Sequence, residues 1–362
     1  MPEENDGEAG TGTTVGARGD GIAASVRRHP VRSVLGALGV VVVGLLAWSA
    51  AWYEGQVGGA LGGARTVVNV VSGSSMSDIA GRLGSRHVVT SPLAFRIYLL
   101  LHGSPVVRPG GYLLRRHEGF AALKGALAAG PDVFSVRIPA GFTVEETATR
   151  VGQLRGHDAS AFLSVADSGA VQSSWQPPGS TNLDGLLGTG TYVVLPGETD
   201  KSLLSQMVER FDTQARQASL AQDASSLGIT PYQAVIVASI VQKEGVYSQN
   251  LAKVARVVYN RLARGMDLQM DSTVLYSEHR DGGPVTSADL ALDTPYNTYL
   301  HSGLTPTPIC FPSQASLRAA LAPTAGNWLY FVVVSKDGTE AFSDTLAGQV
   351  ANENLAKSRG LP

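Results

Sequence analysis

An uncharged apolar stretch near the N-terminus constrains this chain more than any other feature of its sequence. The 20 residues from Val34 to Tyr53 read VLGALGVVVVGLLAWSAAWY. A helix of that length, at 1.5 Å per residue, is about 30 Å long, which is the thickness of the hydrocarbon core of a bilayer. Trp48, Trp52 and Tyr53 lie at its far end, where interfacial aromatic side chains are common. We therefore predict a transmembrane helix over residues 34–53.

The charges that flank this stretch predict its orientation. The basic residues before it are Arg18, Arg27, Arg28 and Arg32, and the next one after it is Arg65. The positive-inside rule therefore places the N-terminus in the cytoplasm and the chain beyond about residue 54 outside. A cleaved signal peptide is the alternative, but its apolar core is usually only about 7–15 residues long. We expect an uncleaved, single-pass anchor in the cell membrane.

Composition excludes several functional classes. The chain has 362 residues, of which 16% are charged, and its formal net charge is −2. A dedicated nucleic-acid binder normally has a basic surplus, so we expect no nucleic-acid partner. The single cysteine, Cys310, excludes an intramolecular disulfide and zinc sites built on several cysteines. The zincin, phosphate-loop and dinucleotide motifs are missing from the sequence, so we expect neither a metal nor a cofactor.

Turn residues and shifts in composition divide the chain into segments. We predict a disordered cytoplasmic tail (1–33), the transmembrane helix (34–53), a glycine-rich linker (54–64), a small α+β module (65–131), a second α+β subdomain with a long loop (132–199) and a main globular domain (200–357). Strand–turn–helix patterns near Val67 and Val136 indicate a weak internal repeat. Such units often bind extended polymers, although a packing role is equally compatible with the pattern. The predicted fold class is α+β.

One glutamate occupies a position that a surface residue would not have. Thr230-Pro231 is a strong helix start, since a capping residue precedes proline in the first turn, and Gly245 is a suitable stop. Glu244 continues the apolar stripe of this helix, which also carries Val237 and Val241. Burial and the electronegative end of the helix both disfavour the ionised carboxylate, so they should raise its pKa.

A carboxyl group that stays protonated near neutral pH can act as a general acid. Glu244 is therefore the candidate catalytic residue. The structural alternative is a buried ion pair with Arg256 or Arg261, which lie on the next predicted helix. Sequence reasoning from the residues alone leaves both possibilities open.

Polar and aromatic residues that suit a sugar follow this helix. The alternating segment Met266–Asp271 predicts a short strand, and Asp271 supplies a second carboxylate. Two tyrosines and an amide occur in the loop Thr294–Tyr299. Aromatic rings can cover the apolar face of a pyranose, and amides can bond its hydroxyls. On its own this signal is weak, since tyrosine and asparagine are common in turns.

Taken in order, these residues resemble the endolytic murein transglycosylases, also called membrane-bound lytic transglycosylase G. The similarity extends over about residues 34–357. Its blocks are Gly110–Tyr112, Leu183–Leu186, Thr191-Tyr192, Ala238–Glu244, Val254-Ala255, Asn260–Leu262, Gly265-Met266, Leu268-Gln269, Asp271 with Thr273-Val274 and Tyr276, Pro295–Tyr299, Gly303–Pro306 and Leu329–Val332. The glutamate block and the Tyr-Asn-Thr-Tyr block are the most specific.

The resemblance implies a single-pass anchor, a LysM-like module at 65–131 and a mixed α/β catalytic transglycosylase domain at 200–357. It also implies cleavage of the β-1,4 bond between N-acetylmuramic acid and N-acetylglucosamine in nascent glycan strands. Glu244 matches the catalytic glutamate of the family. It would act as general acid and then as general base, while the C6 hydroxyl of the muramic acid closes on C1 to give a 1,6-anhydro end. An internal nucleophile needs no second carboxylate.

Further expectations concern partners and substrate contacts. The partners implied are peptidoglycan glycan strands, the cytoplasmic membrane and proteins of a cell-wall synthesis complex. The candidate substrate-binding residues are Gln242, Asn260, Asp271, Thr273, Tyr276, Tyr296, Asn297 and Tyr299. A structural role is equally compatible with Asn260, Asp271, Tyr296 and Asn297, since aspartate and asparagine also cap helices and turns.

The sequence departs from the family pattern at several positions. Ser272 replaces a usual proline, Gly188–Gly190 replaces Phe-Pro-Asp, and two histidines common near the C-terminus are missing around Ala341 and at Gln349. Two other functions stay open. The first is a hydrolytic muramidase with Asp271 as base or nucleophile, and the second is a non-catalytic peptidoglycan-binding scaffold that uses residues 65–155.

Overall fold

A long apolar helix precedes two hydrophobic cores in the computed structural model, which describes residues 30–59, 63–245 and 247–361. Helix α1 spans Pro30–Val57 and is long and apolar enough to cross a membrane. It extends beyond the predicted 34–53 at both ends, because the single Gly55 does not end the helix, which stops before Gly58-Gly59, and because proline is tolerated in a first turn. Residues 1–29 of the predicted disordered tail and residues 60–62 of the predicted linker lie outside the described residues.

The first core belongs to a small α+β unit. Strand β1 (Arg65–Val70) pairs antiparallel with β2 (Gly110–Arg115), and Val68 faces Tyr112 in the register. Three helices pack on this pair: α2 (Met76–Ser85), α3 (Pro92–His102) and α4 (Phe120–Ala129). Tyr53 and Val57 from the end of α1 pack against the same core. The strands and helices of this unit lie within residues 65–129, while the module bounds of 65–131 and the LysM-like character stay predictions.

The second core begins with another antiparallel pair. Strand β3 (Phe134–Ile138) pairs with β4 (Gly190–Val194), and the helices α5 (Val144–Val151) and α6 (Ala159–Asp167) lie between them in sequence. A capping box starts α5: Thr143 Oγ1 accepts from the Glu146 amide, and Glu146 Oε2 accepts from the Thr143 amide. Helix α2 of the first unit begins with the same device, so both predicted strand–turn–helix patterns are present.

The remaining elements are mostly helical. They are α7 (Asp200–Gln217), α8 (Leu220–Ser226), α9 (Pro231–Glu244), α10 (Leu251–Ala263), α11 (Asp271–Ser277), α12 (Ser287–Leu290), α13 (Gln314–Leu321), the antiparallel pair β5 (Tyr330–Val333) and β6 (Glu340–Ser343), and α14 (Leu346–Ser358). Helix α9 is central, because every residue from Ala234 to Val241 is buried. A single hydrophobic core runs from Val136 on β3 to Leu321 on α13, so it joins the predicted segments 132–199 and 200–357.

The prediction of a strand at Met266–Asp271 is wrong. Residues 266–270 have no strand assignment, and helix α11 begins at Asp271. The alternation arises because Leu268 and Met270 point into the core. The backbone of this segment bonds to side chains and a loop instead of a neighbouring strand: the Leu268 carbonyl accepts from Arg261, and the Gln269 amide donates to the Thr298 carbonyl. Apolar residues at every second position show that alternate side chains are buried. An extended segment without a hydrogen-bonded neighbouring strand produces the same pattern.

Candidate active site

Helix α9 holds Glu244 at its C-terminal end. Its start is fixed by Thr230 and Gln233, which form a capping box, and by Pro231 at the first position. Gly245 ends the helix with φ of −79°, so its role is not the left-handed conformation usual for a terminal glycine. A Cβ there would instead clash with the Leu251 side chain. Glycine therefore lets the chain turn closely over α10 directly after the glutamate.

A cleft of about 680 Å³ opens beside the end of α9. Its walls come from the start of α5, the end of α9, helix α11 and the segment 278–282. This volume lies within the range of about 300–1,000 Å³ that ligand sites usually have. Glu244 lines the cleft together with Asp184, Asp271, Tyr276 and Tyr296.

The Glu244 carboxyl lies in an environment that favours its protonated form. Burial raises its pKa, and the nearby carboxylates of Asp271 and Glu340 raise it further. Hydrogen bonding by Ser272 opposes this shift, and the Ser272 amide donates to Glu244 Oε1 at 3.2 Å. The net effect is a pKa above the ordinary glutamate value. This is the direction that the helix position predicted.

The ion pair that was the structural alternative is not formed with either arginine. Arg256 donates to the carbonyls of Pro323 and Thr324. Arg261 donates to the carbonyls of Leu329 and Leu268, at 2.7 Å in both cases. Both guanidinium groups therefore donate hydrogen bonds to backbone carbonyls. Among the described residues, no cation forms an ion pair with Glu244.

Asp184 is a cleft residue that sequence reasoning did not single out. It is buried, and its carboxylate accepts hydrogen bonds from the Val144 amide at 2.8 Å and from the Tyr276 hydroxyl at 2.5 Å. Burial is the main cause of its raised pKa. Asp184 therefore ties the start of α5 to α11 across the cleft. The Leu183–Leu186 block contained the signal, because an acidic residue between leucines and glycine has no obvious surface role.

The tyrosines of the cleft are held by polar partners and by each other. The rings of Tyr276 and Tyr296 lie with their centroids 4.9 Å apart at 56°. The Tyr296 hydroxyl shares a hydrogen bond with Thr307, while that of Tyr276 donates to Asp184. Their hydroxyls are therefore engaged within the protein, so only their ring surfaces could make the sugar contact that the sequence predicts.

Asp271 and Tyr299 form a second polar pair at the rim. Tyr299 donates its hydroxyl proton to Asp271 Oδ1 at 2.6 Å, and Asp271 is exposed. Both burial and the Asp271 charge raise the pKa of the Tyr299 hydroxyl, so it stays a donor at neutral pH. One oxygen of the Asp271 carboxylate is thus already engaged in a hydrogen bond.

Four of the sequence-predicted substrate contacts have their polar atoms engaged inside the protein. Gln242 Oε1 accepts from the Ser313 amide and the Ser316 hydroxyl, and Asn260 Nδ2 donates to the carbonyls of Gly326 and Trp328. Thr273 bonds to Met270 and Thr298, and Asn297 donates to Leu290 and Leu292. We propose structural roles for these four, in place of the predicted contact with substrate.

The segment 278–282 is fastened to both sides of the cleft. Lys243 at the end of α9 pairs with Asp281 at 2.6 Å, and His279 lies 2.7 Å from Glu145 on α5. Both contacts have an exposed partner, so each contributes little to stability. Their effect is geometric, since they hold the segment as a wall of the cleft.

Replacing Asn260 by alanine should reduce stability and leave substrate affinity unchanged. The substitution removes both donors from the buried side of the 326–328 loop, and the expected loss is about 1–3 kcal/mol in the free energy of unfolding. Thermal melts of the full chain, alongside KM for the glycan cleavage that the resemblance implies, measure the two quantities. A raised KM with an unchanged melting temperature would restore the substrate-contact role.

Comparison with known proteins agrees with the resemblance found in the sequence. An endolytic murein transglycosylase of Bacillus subtilis (strain 168) is 28% identical over 295 residues, which are 77% of this chain and 81% of that protein. One of Streptococcus pneumoniae R6 is 28% identical over 312 residues, and the match spans 54% of its length. These names confirm the resemblance to endolytic murein transglycosylases.

A solved structure and a family model extend the comparison to the fold. The crystal structure of a YceG-like protein from Listeria monocytogenes superposes with a TM-score of 0.58 at 25% identity, covering 79% of this chain and 98% of that one. The family model described as YceG-like matches residues 68–354. That match includes both hydrophobic cores and the cleft, and on this ground the chain belongs to the YceG-like family.

Proposed function

We propose that this chain is a membrane-anchored lytic transglycosylase that cleaves peptidoglycan glycan strands within their length. The observation that carries the proposal is Glu244, whose carboxyl faces a cleft, pairs with no cation among the described residues and has a raised pKa. Family membership and the names of the relatives support the same activity. The substrate bond is the β-1,4 link from N-acetylmuramic acid to N-acetylglucosamine.

In the first step Glu244 donates its proton to the glycosidic oxygen. The bond from C1 of the muramic acid to that oxygen breaks, and the N-acetylglucosamine side leaves with a free hydroxyl. Positive charge then develops at C1, and the Glu244 carboxylate that has just formed stabilises it.

In the second step the same carboxylate removes the proton from the C6 hydroxyl of the muramic acid. Oxygen O6 bonds to C1, which closes the 1,6-anhydro ring and returns Glu244 to its protonated form. No water is consumed, so one carboxyl group serves as acid and then as base. The intramolecular attack also avoids the entropy cost of bringing in a separate nucleophile.

The anchor forms part of the proposal. Helix α1 has exposed apolar side chains along its length, among them Leu38, Val41, Leu45 and Trp48. Such a surface is unfavourable in water and fits the hydrocarbon core of a bilayer. We propose a single pass with the N-terminus in the cytoplasm, which places the cleft on the outer side with the cell wall.

Digestion of purified sacculi by the full chain in detergent micelles tests this function. Mass spectrometry of the soluble products should show 1,6-anhydro-muropeptides, which lack one water relative to hydrolysis products. Products with reducing ends would indicate the hydrolytic muramidase. Binding to sacculi without any soluble product would indicate the non-catalytic scaffold.

The activity should decrease as the pH rises through the pKa of Glu244. The free enzyme must carry a protonated Glu244, so only the acid side of that pKa holds the competent form. Because burial raises this pKa, the active range should extend upward beyond that of an ordinary glutamate. Above it, kcat/KM should decrease about tenfold per pH unit. A kcat/KM that instead rises across this range would show that the ionised form starts the reaction.

A further inference from the structure

Ser272 carries two hydrogen-bond donors, its amide and its hydroxyl, and it lies beside the Glu244 carboxyl. It is the second residue of helix α11 and lines the cleft next to the glutamate. The first amides of a helix have no partner within the helix, so the Ser272 N–H is available to another group. It donates to Glu244 Oε1 at 3.2 Å.

The hydroxyl of the same residue is buried and lacks an acceptor. Among the described residues, Ser272 Oγ has no hydrogen-bond partner, although its oxygen is shielded from solvent. A hydroxyl can rotate its hydrogen about the Cβ–Oγ bond toward whichever acceptor is present. Glu244 is the candidate acceptor, because its Oε1 lies 3.2 Å from the amide nitrogen of the same serine and both residues line the cleft.

The value of the Ser272 hydroxyl in a two-step reaction follows from the two protonation states of Glu244. A protonated Glu244 is a poor acceptor, so the Ser272 hydroxyl gains little before proton transfer. The ionised Glu244 is a strong one, and hydrogen bonds to charged acceptors are about twice as strong as neutral ones. A donor that is in place but unused therefore favours the ionised state that exists only between the two steps.

We propose that Ser272 is the positioning residue of Glu244: its amide fixes one carboxyl oxygen, and its hydroxyl donates to the carboxylate that forms after the first proton transfer. The inference rests on the proposed function, because it gives Ser272 a role in that same reaction. The fixed oxygen leaves the other one for the sugar. Ser272 acts only through Glu244.

Two substitutions separate the two donors. Ser272→Ala removes the hydroxyl and keeps the amide, whereas Ser272→Pro removes the amide as well, in a first helical turn that accepts proline. Ser272→Thr keeps both donors. Ser205→Ala is the control, because the Ser205 hydroxyl donates to the Lys201 carbonyl of its own helix α7 on the exposed surface.

The experiment measures the release of anhydro-muropeptides by the full-length variants in detergent micelles as a function of pH. Ser272→Ala should lower kcat about threefold to tenfold and move the alkaline limb of kcat/KM to higher pH, because losing a donor to the ionised form raises the pKa of Glu244. Ser272→Pro should lower kcat further. Ser272→Thr should restore both kcat and the wild-type position of the alkaline limb of kcat/KM. Ser205→Ala should match the wild type.

A merely structural Ser272 would change the melting temperature without moving the alkaline limb. The inference is overturned when the wild type releases anhydro products and Ser272→Ala has the same kcat and the same limb. A wild type that releases no anhydro product would instead refute the proposed function itself. Ser272→Ala needs no backbone change, so the test stands even where Ser272→Pro fails to fold.

Discussion

Glu244→Gln should abolish the release of 1,6-anhydro-muropeptides, with a loss of at least about 10³-fold in kcat. General acid–base catalysis by a positioned group contributes about 10²–10⁴-fold, and in the proposed mechanism one side chain supplies both the acid and the base step. Glutamine keeps the size of the side chain but can neither donate a proton to the glycosidic oxygen nor take one from the C6 hydroxyl. Mass spectrometry of sacculus digests measures the loss.

The same substitution should leave the fold intact. Glu244 makes no ion pair among the described residues and favours its neutral form, so a neutral amide at this position removes no buried charge partner. Melting temperatures of the variant and the wild type should therefore agree closely. Glu209→Gln on the exposed face of α7 is the matched control and should keep full activity. Residual anhydro release above a tenth of the wild-type rate would mean that another group is the acid.

Much of this site could be predicted because its main element is encoded locally. Helix α9 has its capping box, its first-turn proline and its apolar stripe within fifteen consecutive residues, from Thr230 to Glu244. Local signals of this kind need no knowledge of distant contacts. The position of Glu244 on the stripe then led directly to its burial and to the direction of its pKa shift.

The residues whose hydrogen bonds the sequence did not predict depend on partners far along the chain. Asn260 bonds to carbonyls more than sixty positions away, and Gln242 bonds to Ser313 and Ser316 at a similar separation. Asp184 is paired with Tyr276 across 92 positions. A polar residue near the candidate catalytic glutamate suggests a substrate contact as long as its hydrogen-bond partner within the protein is unknown. The order of residue types along a chain does not identify that partner.

The incorrect strand prediction at Met266–Asp271 also results from a hydrogen-bond partner that the sequence pattern does not identify. Its alternation was real, since Leu268 and Met270 are buried, but Arg261 binds the carbonyls of Asp267 and Leu268 where a neighbouring strand would have done so. The Arg261 side chain thus makes the hydrogen bonds that a neighbouring strand would make in a sheet. Arg261 is therefore structurally important in a way that its position on α10 did not predict.

Arg261→Met should be the most destabilising change near the cleft. The Arg261 side chain is 7% exposed and donates to the carbonyls of Leu329, Asp267 and Leu268. Methionine fills a similar volume but leaves these acceptors unpaired in the interior. We expect a loss of about 3–5 kcal/mol in the free energy of unfolding, since each unpaired buried group costs about 1–3 kcal/mol. Thermal unfolding of the full chain in detergent measures it.

Arg256→Met is the matched control, because Arg256 likewise donates to backbone carbonyls, two instead of three, but is less buried. Water can replace its hydrogen bonds, so the expected loss is only about 1 kcal/mol. The two variants should also differ in activity below their melting temperatures. Arg261 fixes the segment that leads into Asp271 and Ser272, so its loss should lower kcat as the Ser272 amide shifts away from Glu244. Equal effects of the two substitutions on stability and on kcat would show that the 266–270 segment holds its place without Arg261.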